Sequence, residues 1–323
     1  MVLWFVLDAA RLNNLGAGAY ARGDYATAES LYTAALAVAG PAGASKIESN
    51  LAALYKRQGR YNEAAVRYAR VIAFRERLLG PSHPDVALAI NNLAEARRIE
   101  GRLAEAQALF ERALALSASA EVRGAVLNNL AEVHRTLGRY SSAERMLKEA
   151  LAVKEELYGA HHPQVAITLN NLGKLLEDCG DPASAEGLYA RAVQIWERTR
   201  PGEDLAIGLT NLGRVHGLLG RFAESERLHA QALSELGTRE GPVAAAILHN
   251  LSLLRTAQGR LVEAEALLRR SLALRENPAA LVDYARALRG IGKKRQARQA
   301  EERVRALTAD SGGRWTVDVR AFR

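Results

Sequence analysis

Apolar residues recur along the chain with the spacing of one helix face, and polar residues fill the positions between them. In the stretch LNNLAEVHRTLG, for example, Leu127, Leu130, Val133 and Leu137 lie three or four residues apart, and Gly138 follows the last of them. That spacing predicts an amphipathic helix, and a Gly directly after it is typical of a helix C-terminus. Long alternating runs of Val, Ile or Thr, which would predict strands, are missing. The pattern therefore predicts helices throughout.

The same phrase returns eight times, each time with a polar residue nine positions before a Gly. That polar residue is Asn in seven copies, and we call it the second asparagine, because another Asn precedes it in most copies. The eight pairs are Asn14/Gly23, Asn50/Gly59, Asn92/Gly101, Asn129/Gly138, Asn171/Gly180, Asn211/Gly220, Asn250/Gly259 and Asp283/Gly292. Successive glycines are 36, 42, 37, 42, 40, 39 and 33 residues apart. The chain is therefore a series of repeats with a constant core and connectors of variable length.

Each repeat is predicted to contain a second helix after the Gly. Five residues after the Gly stands a small residue, which would let two helices approach closely: Ala28, Ala64, Ala106, Ala143, Ala185, Ser225, Ala264 or Ala297. Four residues further on, most repeats have a larger side chain on the same helix face, such as Tyr32, Tyr68, Phe110, Leu147, Tyr189 or Leu268. A helix hairpin of this kind cannot bury its apolar face alone, so the repeats must stack.

These features resemble the tetratricopeptide repeat. Leu12, Leu15 and Gly16 match the start of that repeat's pattern, and Ala28 and Tyr32 match its Ala-x3-aromatic segment. The resemblance covers roughly residues 8 to 307 by repeat-pattern matching.

The longer steps resemble the kinesin-light-chain variety of the repeat, which combines an LNNLA or LNNLG phrase with a Gly-x2-His-Pro-x-Val connector. This chain has GPSHPDVA from Gly80 and GAHHPQVA from Gly159. Pro84 and Pro163 are each predicted to open a helix at its first position, where the missing N–H is harmless.

The resemblance implies an all-α, right-handed α-solenoid of about eight helix hairpins over residues 1–308, followed by a tail at 309–323. The predicted repeats lie near 8–40, 41–79, 80–117, 118–158, 159–199, 200–237, 238–275 and 276–308. The eighth has Asp283 for the second asparagine and Glu301 where other repeats mostly have a large apolar residue, so it is predicted to be a cap with a polar outer face. In the tail, alternating Trp315, Val317 and Val319 predict an extended segment that packs on the last repeat or on a partner, against the simpler alternative of a disordered end.

The asparagines are costly for a helical protein, since each loses roughly 0.5 kcal/mol of helix propensity relative to Ala. In tetratricopeptide repeats the first helix of each pair lines a concave groove, so the resemblance implies that the asparagines project there. An amide both donates and accepts, and can bond the main chain of any extended peptide. The predicted groove asparagines are Asn14, Asn50, Asn91, Asn92, Asn128, Asn129, Asn170, Asn171, Asn211 and Asn250. The alternative is that they bond neighbouring helices and set the angle between repeats.

Cations recur on the same face, three or six residues after the second asparagine: Lys56, Arg98, Arg135, Lys174 and Arg214. They predict a basic track and a partner segment with acidic residues. Alternatively, Glu95 and Glu132 pair with Arg98 and Arg135 on their own helices.

The formal net charge of +8 and the pI of about 9.7 make nucleic acid the main alternative partner. A cluster near the C-terminus supports it: Lys293, Lys294, Arg295, Arg298, Arg303 and Arg305. Against it, a helical-repeat code for RNA needs side chains that vary between repeats and stacking groups, whereas nearly every repeat here offers Asn. Nucleic acid is therefore the less favoured partner.

No motif for catalysis, metal binding or a cofactor is present. His83, His161 and His162 lie in connectors and are interpreted as loop or cap residues. The single Cys179 excludes an intrachain disulfide and favours a cytoplasmic setting. The apolar run at residues 2–7 is too short to span a membrane, and is interpreted as the start of the first helix or a start-site artefact. The sequence thus predicts a non-enzymatic scaffold, without cofactor or metal, that binds a protein or peptide partner and no membrane.

Overall fold

The computed structural model describes residues 8–117, 119–199 and 202–310, and all regular secondary structure in these ranges is helical. This confirms the predicted all-α class. The helices are α1 (Ala9–Ala21), α2 (Tyr25–Val38), α3 (Pro41–Arg57), α4 (Tyr61–Leu79), α5 (Pro84–Ile99), α6 (Leu103–Leu116), α7 (Ala120–Thr136), α8 (Tyr140–Tyr158), α9 (Pro163–Asp178), α10 (Pro182–Thr199), α11 (Glu203–Leu218), α12 (Phe222–Leu236), α13 (Pro242–Ala257), α14 (Leu261–Leu274), α15 (Pro278–Gly290) and α16 (Lys294–Asp310). The predictions for residues 2–7 and for the tail from Gly312 concern residues outside the described ranges.

The chain divides into two compact units, residues 1–157 and 158–323, which we call the N-terminal and C-terminal units. In the N-terminal unit, α1 packs on α2, α3 on α4 and α5 on α6, and each pair contacts the helix that follows it. In the C-terminal unit the pairs are α9 with α10, α11 with α12, α13 with α14 and α15 with α16. Consecutive pairs of helices are therefore stacked within each unit, as the repeat pattern predicts.

The turn inside each hairpin is made by the repeat's Gly. All eight of these glycines have φ between 72° and 82°, a left-handed conformation that side chains with a Cβ rarely adopt. The residue after the Gly donates its N–H to the carbonyl five positions earlier, as in Arg139 N to His134 O at 2.8 Å. This is the hydrogen bond of a Schellman motif, which ends the first helix at a fixed residue.

The His-Pro connectors start helices α5 and α9. Pro84 and Pro163 occupy the first position of these helices, as predicted. The preceding His83 and His162 are the N-caps, and the Nδ1 atom of each accepts a hydrogen bond from the backbone N–H two residues later, at 3.2 Å. Their interpretation as cap residues is confirmed.

The small residues of the second helices are buried in the described hairpins, and the larger residue four positions later packs over the first helix. Tyr189 is fully buried, and its ring lies directly over Gly173 of α9. A Cβ atom added to Gly173 would lie 2.7 Å from Cε1 of Tyr189. The Gly of the LNNLG phrase thus makes room for the ring in this repeat.

Gly173→Ala and Gly187→Ala should change stability in opposite directions. Gly173→Ala forces the buried Tyr189 ring to move, which costs about 1–3 kcal/mol against a helix-propensity gain of about 1 kcal/mol. Gly187 is in helix α10 with no atom near its added Cβ, so Ala there should add about 1 kcal/mol. Denaturant unfolding of both variants measures the difference. A stabilised Gly173→Ala would contradict the close contact.

The last repeat differs from the expectation for Glu301. Its side chain does not belong to a polar outer face, because only 5% of the residue is exposed. Nε of Arg289 donates to Oε1 of Glu301 at 2.7 Å, which compensates the buried carboxylate. Charge pairing therefore replaces the apolar contact that a large residue makes at this position in other repeats.

Candidate functional site

The asparagines of successive repeats bond to each other. Within each unit, Nδ2 of a second asparagine donates a hydrogen bond to an asparagine of the repeat before it. The acceptor is Oδ1 of the residue just before that repeat's own second asparagine, and we call each such bond a rung. Rungs join Asn50 to Asn13 (2.7 Å) and Asn129 to Asn91 (3.1 Å) in the N-terminal unit, and Asn211 to Asn170 (2.7 Å) in the C-terminal unit. The rungs tie the first helices of neighbouring repeats together.

The last pair of repeats carries the same rung in other residues. Nε2 of His249 lies 2.8 Å from Oδ2 of Asp283, and these residues occupy the same two positions as the asparagines elsewhere. An imidazole and a carboxylate therefore replace two amides at the end of the chain of repeats.

The two asparagines of a pair differ in burial. The first ones are buried, with Asn91 and Asn170 each 5% exposed and Asn128 6% exposed. The second ones mostly reach the surface: Asn14 is exposed, and Asn50, Asn92, Asn129, Asn171 and Asn250 are half-buried, while Asn211 is buried. Within each unit, we call the surface formed by the second asparagines and the residues three and six positions after them the groove face.

The rungs leave hydrogen-bonding capacity on the groove face. An Asn amide has two donor hydrogens and an oxygen with two lone pairs. A rung uses one donor hydrogen of Asn129, and the 3.5 Å contact from Asn128 Nδ2 uses one lone pair of its oxygen. One donor and one acceptor position remain on this half-buried side chain, whose orientation the rung sets.

The predicted basic track is partly neutralised within the protein. Lys56 Nζ lies 2.7 Å from Glu95 of the next repeat, and Arg135 Nη2 lies 2.7 Å from Glu132 on its own helix. Arg98 is half-buried, and its Nε is buried without a hydrogen-bond partner. Lys174 is also half-buried.

An ion pair with a buried carboxylate joins the fifth and sixth repeats on the groove face. Arg214 Nη2 lies 2.6 Å from Oε2 of Glu177, whose side chain is only 4% exposed. The hydroxyl of Tyr189 donates to the same oxygen at 2.6 Å. Burial raises the pKa of Glu177 above its usual value, while the charge of Arg214 acts in the opposite direction. Oε1 of this carboxylate is buried and unpartnered.

A cavity of about 150 Å³ opens beside this ion pair, between α11, α12 and α13. Arg214 and Gly217 come from α11, Ser225 and His229 from α12, and Asn250 from α13. The remaining lining residues are Leu218, Phe222, Leu253, Leu254 and Ala257. The cavity adjoins the groove face, because Arg214, Gly217 and Asn250 belong to both.

His229 is the residue of this site that the sequence-based prediction missed. It is 1% exposed, and its Nδ1 is buried without a hydrogen-bond partner. Burial, and secondarily the charge of Arg214, lowers the pKa of the imidazole to about 4, so the ring is neutral at neutral pH. The repeat spacing could have found it. His229 is nine residues after Gly220, the position that holds a large side chain of the second helix in most other repeats.

A family model described as "Tetratricopeptide repeat" matches residues 43–119, 122–198, 169–236 and 204–277, well over half of the chain. The chain belongs to the tetratricopeptide repeat family. The resemblance found in the sequence is thereby confirmed. No curated protein sequence matches the chain.

Several solved structures are similar to this chain in fold. A tetratricopeptide repeat protein from Parabacteroides merdae is 16% identical with a TM-score of 0.61, over 87% of this chain and 98% of that one. A Rap protein complexed with competence and sporulation factor is 15% identical with a TM-score of 0.64, over 88% and 80%. The similar structures include a putative kinesin light chain from Podosopora anserina with nearly identical TPR-like repeats, at 23% identity and a TM-score of 0.49, over 59% and 94%.

Tetratricopeptide repeats are generally scaffolds for protein interaction and are typically non-catalytic. Within the described ranges, no group of three or more His, Cys, Asp or Glu side chains is placed to hold a metal ion. Across the same residues, no helix is both long and apolar enough to cross a membrane.

Proposed function

We propose that this protein is a non-enzymatic scaffold whose groove face binds an extended peptide segment of a protein partner. The supporting observation is that half-buried second asparagines recur in each unit, and that Asn129, for one, keeps a donor and an acceptor position beside its rung. Successive main-chain groups of an extended peptide would bond successive amides, so binding would depend little on the peptide's side chains. The thiol of Cys179 is exposed and free, which suits a reducing cytoplasm.

The buried first asparagines contribute indirectly in this proposal. Asn91 and Asn170 accept the rungs from Asn129 and Asn211, so they hold the amides of the groove face in one orientation. A side chain already fixed in its binding orientation loses less conformational entropy when a ligand binds. Structural and binding roles therefore coexist in one pair of asparagines.

We propose that an acidic residue of the peptide binds beside Arg98. Arg98 is half-buried and forms no ion pair with the carboxylates that the structure describes, so its guanidinium would gain a charge-assisted hydrogen bond there. Lys56, Arg135 and Arg214 already contact carboxylates of the protein, so an acidic ligand would have to displace Glu95, Glu132 or Glu177. The preference for acidic residues should thus be local and not spread along the whole groove face.

Peptide selection followed by amide substitution tests the groove. Random linear peptides would be selected by display on the full chain, and their affinities measured by fluorescence anisotropy. Asn92→Ala with Asn250→Ala removes two half-buried amides of the groove face, and we expect binding about tenfold weaker or worse. Asn62→Ala, an exposed Asn on α4, is the matched control and should change nothing. Unchanged affinity in the double variant, or no selectable peptide, would refute the proposal.

A second variant separates binding from stability. Asn170→Ala removes the acceptor of the rung from Asn211, which is itself only 8% exposed. It should lower the unfolding midpoint, because a buried amide without a partner costs about 1–3 kcal/mol. The Asn92→Ala/Asn250→Ala protein should not lose stability, and its midpoint should equal or slightly exceed that of wild type because Ala has the higher helix propensity.

RNA binding is the second candidate function. The supporting observation is the set of exposed cations at the start of α16 and just before it, Lys293, Lys294 and Arg295. Phosphate binding there predicts a steep fall in affinity for generic single-stranded RNA as the salt concentration rises. Affinity that is abolished by Lys293→Glu/Lys294→Glu and untouched by the asparagine variants would favour this function over peptide binding.

A further inference from the structure

We call the residue nine positions after the Gly, on the second helix of each repeat, the packing residue. In two repeats of the C-terminal unit it forms a hydrogen bond with the side chain six positions after the second asparagine, on the first helix. In the fifth repeat, the Tyr189 hydroxyl donates to Glu177 at 2.6 Å. In the eighth, Nε of Arg289 donates to Glu301 at 2.7 Å. Each of these pairs fills the space between the first helix and the packing residue, next to the groove face.

The sixth repeat has no such pair of side chains. Its packing residue is His229, and the residue six positions after Asn211 is Gly217, which has no side chain. The imidazole lies over Gly213 as the Tyr189 ring lies over Gly173, since an added Cβ at Gly213 would be 3.0 Å from Cε1 of His229. The five-membered imidazole ring is smaller than a phenol, so it leaves part of that space unfilled. The cavity of about 150 Å³ is the space that remains.

The cavity combines apolar walls with polar side chains, the imidazole of His229 among them. Leu218 and Leu253 line it and are 63% and 40% exposed, and Phe222 and Leu254 complete the apolar part of the lining. The buried Nδ1 of His229 has no hydrogen-bond partner. A neutral imidazole has one donor and one acceptor nitrogen. A ligand group with both an apolar body and a hydroxyl would satisfy both parts of this lining.

We propose that this cavity binds a tyrosine side chain of the peptide that lies on the groove face; the proposal rests on the function proposed above. A dry cavity of about this size accommodates a benzene ring. The phenol hydroxyl can donate to or accept from the imidazole, whichever tautomer is present. The peptide's tyrosine would thus supply to the sixth repeat the phenol that the fifth repeat has in Tyr189.

Hydroxyl recognition should distinguish tyrosine from phenylalanine. A site that hydrogen-bonds a hydroxyl discriminates strongly against the analogue without it, because its own polar group then remains unpaired. Arg214, at the edge of the cavity, is already bound to Glu177. We therefore expect selection for the neutral phenol rather than for an anionic group.

The direct test uses p-cresol, the analogue of the tyrosine side chain, on the full chain with 13C-labelled histidine. We expect saturable shifts of the His229 Cε1–H resonance with a dissociation constant on the order of 1 mM, as a ligand of this size allows. Toluene, the phenylalanine analogue, should bind at least about fivefold more weakly. Shifts that do not saturate, or equal affinity for toluene, would overturn the proposal.

Two variants rebuild the filled arrangement of the fifth repeat. Gly217→Glu supplies the missing side chain and His229→Tyr supplies the missing phenol, each as it stands in the fifth repeat. Both should abolish p-cresol binding while the helical circular dichroism signal is kept. Binding that persists in folded Gly217→Glu protein places p-cresol elsewhere and overturns the proposal.

Selected peptides distinguish this proposal from the groove function itself. Replacing the peptide's tyrosine by phenylalanine should weaken binding to wild type about tenfold and have no effect on binding to Gly217→Glu. Peptides that lose affinity for Asn92→Ala/Asn250→Ala but bind Gly217→Glu normally would refute the tyrosine site and leave the groove function standing. Binding of p-cresol at His229 without any peptide on the groove face would refute the groove function, and with it a peptide tyrosine as the occupant.

Discussion

We expect wild-type protein to lose about 3 kcal/mol of stability relative to His229→Tyr as the pH falls from 7.5 to 4. The pKa of His229 is lowered from 6.5 to about 4 in the folded chain, chiefly by burial. Between these two pKa values, His229 is mostly protonated in the unfolded chain and mostly neutral in the folded chain. Each pKa unit corresponds to about 1.4 kcal/mol, so the pKa difference of roughly 2.5 amounts to about 3.5 kcal/mol in full. About 3 kcal/mol of it is reached at pH 4, where the imidazole of the folded chain is half protonated.

The sign follows from the direction of the shift. A histidine whose folded-state pKa is lowered contributes its full stability above pH 6.5 and loses it progressively as the pH falls towards 4. The tyrosine in the variant does not titrate in this range, and its ring also fills the cavity next to α11. His229→Tyr should therefore be more stable at every pH, with the gap widening in acid.

Denaturant unfolding of both proteins between pH 4 and pH 7.5 measures this gap. The comparison cancels other titrating groups, including His134, whose pKa is also lowered by burial. Hydrogen exchange in α11 and α12 shows whether the loss is confined to the C-terminal unit. A gap that stays constant across the pH range would show that His229 accepts a proton in the folded protein as readily as in the unfolded chain.

The second large effect is expected for Arg214→Met, which should destabilise the C-terminal unit by about 3 kcal/mol at pH 7.5. The substitution leaves the Glu177 carboxylate, 4% exposed, without its cation, and an unpaired buried charge typically costs 3–5 kcal/mol. Arg214 is itself 35% exposed, so the lower end of that range applies. Protonation of Glu177 relieves the penalty, so the loss should shrink in acid.

Lys56→Met is the matched control for this prediction. Lys56 and Glu95 form an ion pair between successive repeats at the same two positions with the signs reversed, but their side chains are 25% and 29% exposed. Water can replace either partner, so the cost should stay below about 1 kcal/mol. Hydrogen exchange reports on each unit separately. Equal losses in the two variants would mean that burial of Glu177 does not govern the strength of its ion pair.

The local features of the fold were predictable because they depend on residues close in sequence. The Gly that ends each first helix, the Pro that starts α5 and α9, and the small residue five positions after the Gly are set by backbone conformation and helix periodicity. A hairpin of two such helices exposes an apolar face, and stacking of repeats follows from that alone. Local sequence patterns were therefore sufficient to predict the all-α class and the family.

The partners of the polar side chains depend on how the helices pack, and local sequence patterns did not predict them. Helix periodicity puts Asn128 and Asn129 on adjacent faces but does not show that the first is buried and that the second bonds to Asn91, 38 residues away. The rung exists because stacking brings the first helices of two repeats together. The same approach of helices pairs Arg214 with Glu177, 37 residues apart, although sequence patterns favour partners on one helix.

The cavity likewise has no signature within a single helix. It requires His229 on α12, Gly217 on α11 and Leu253 on α13 at once, and each is unremarkable in its own helix. A histidine at a packing position looks from the sequence like any buried aromatic residue. The sequence determined which residues the helices contain and where the helices end. The distances between helices determined which side chains are satisfied by the protein itself and which are left for a partner, because those distances depend on the packing of residues far apart in the chain.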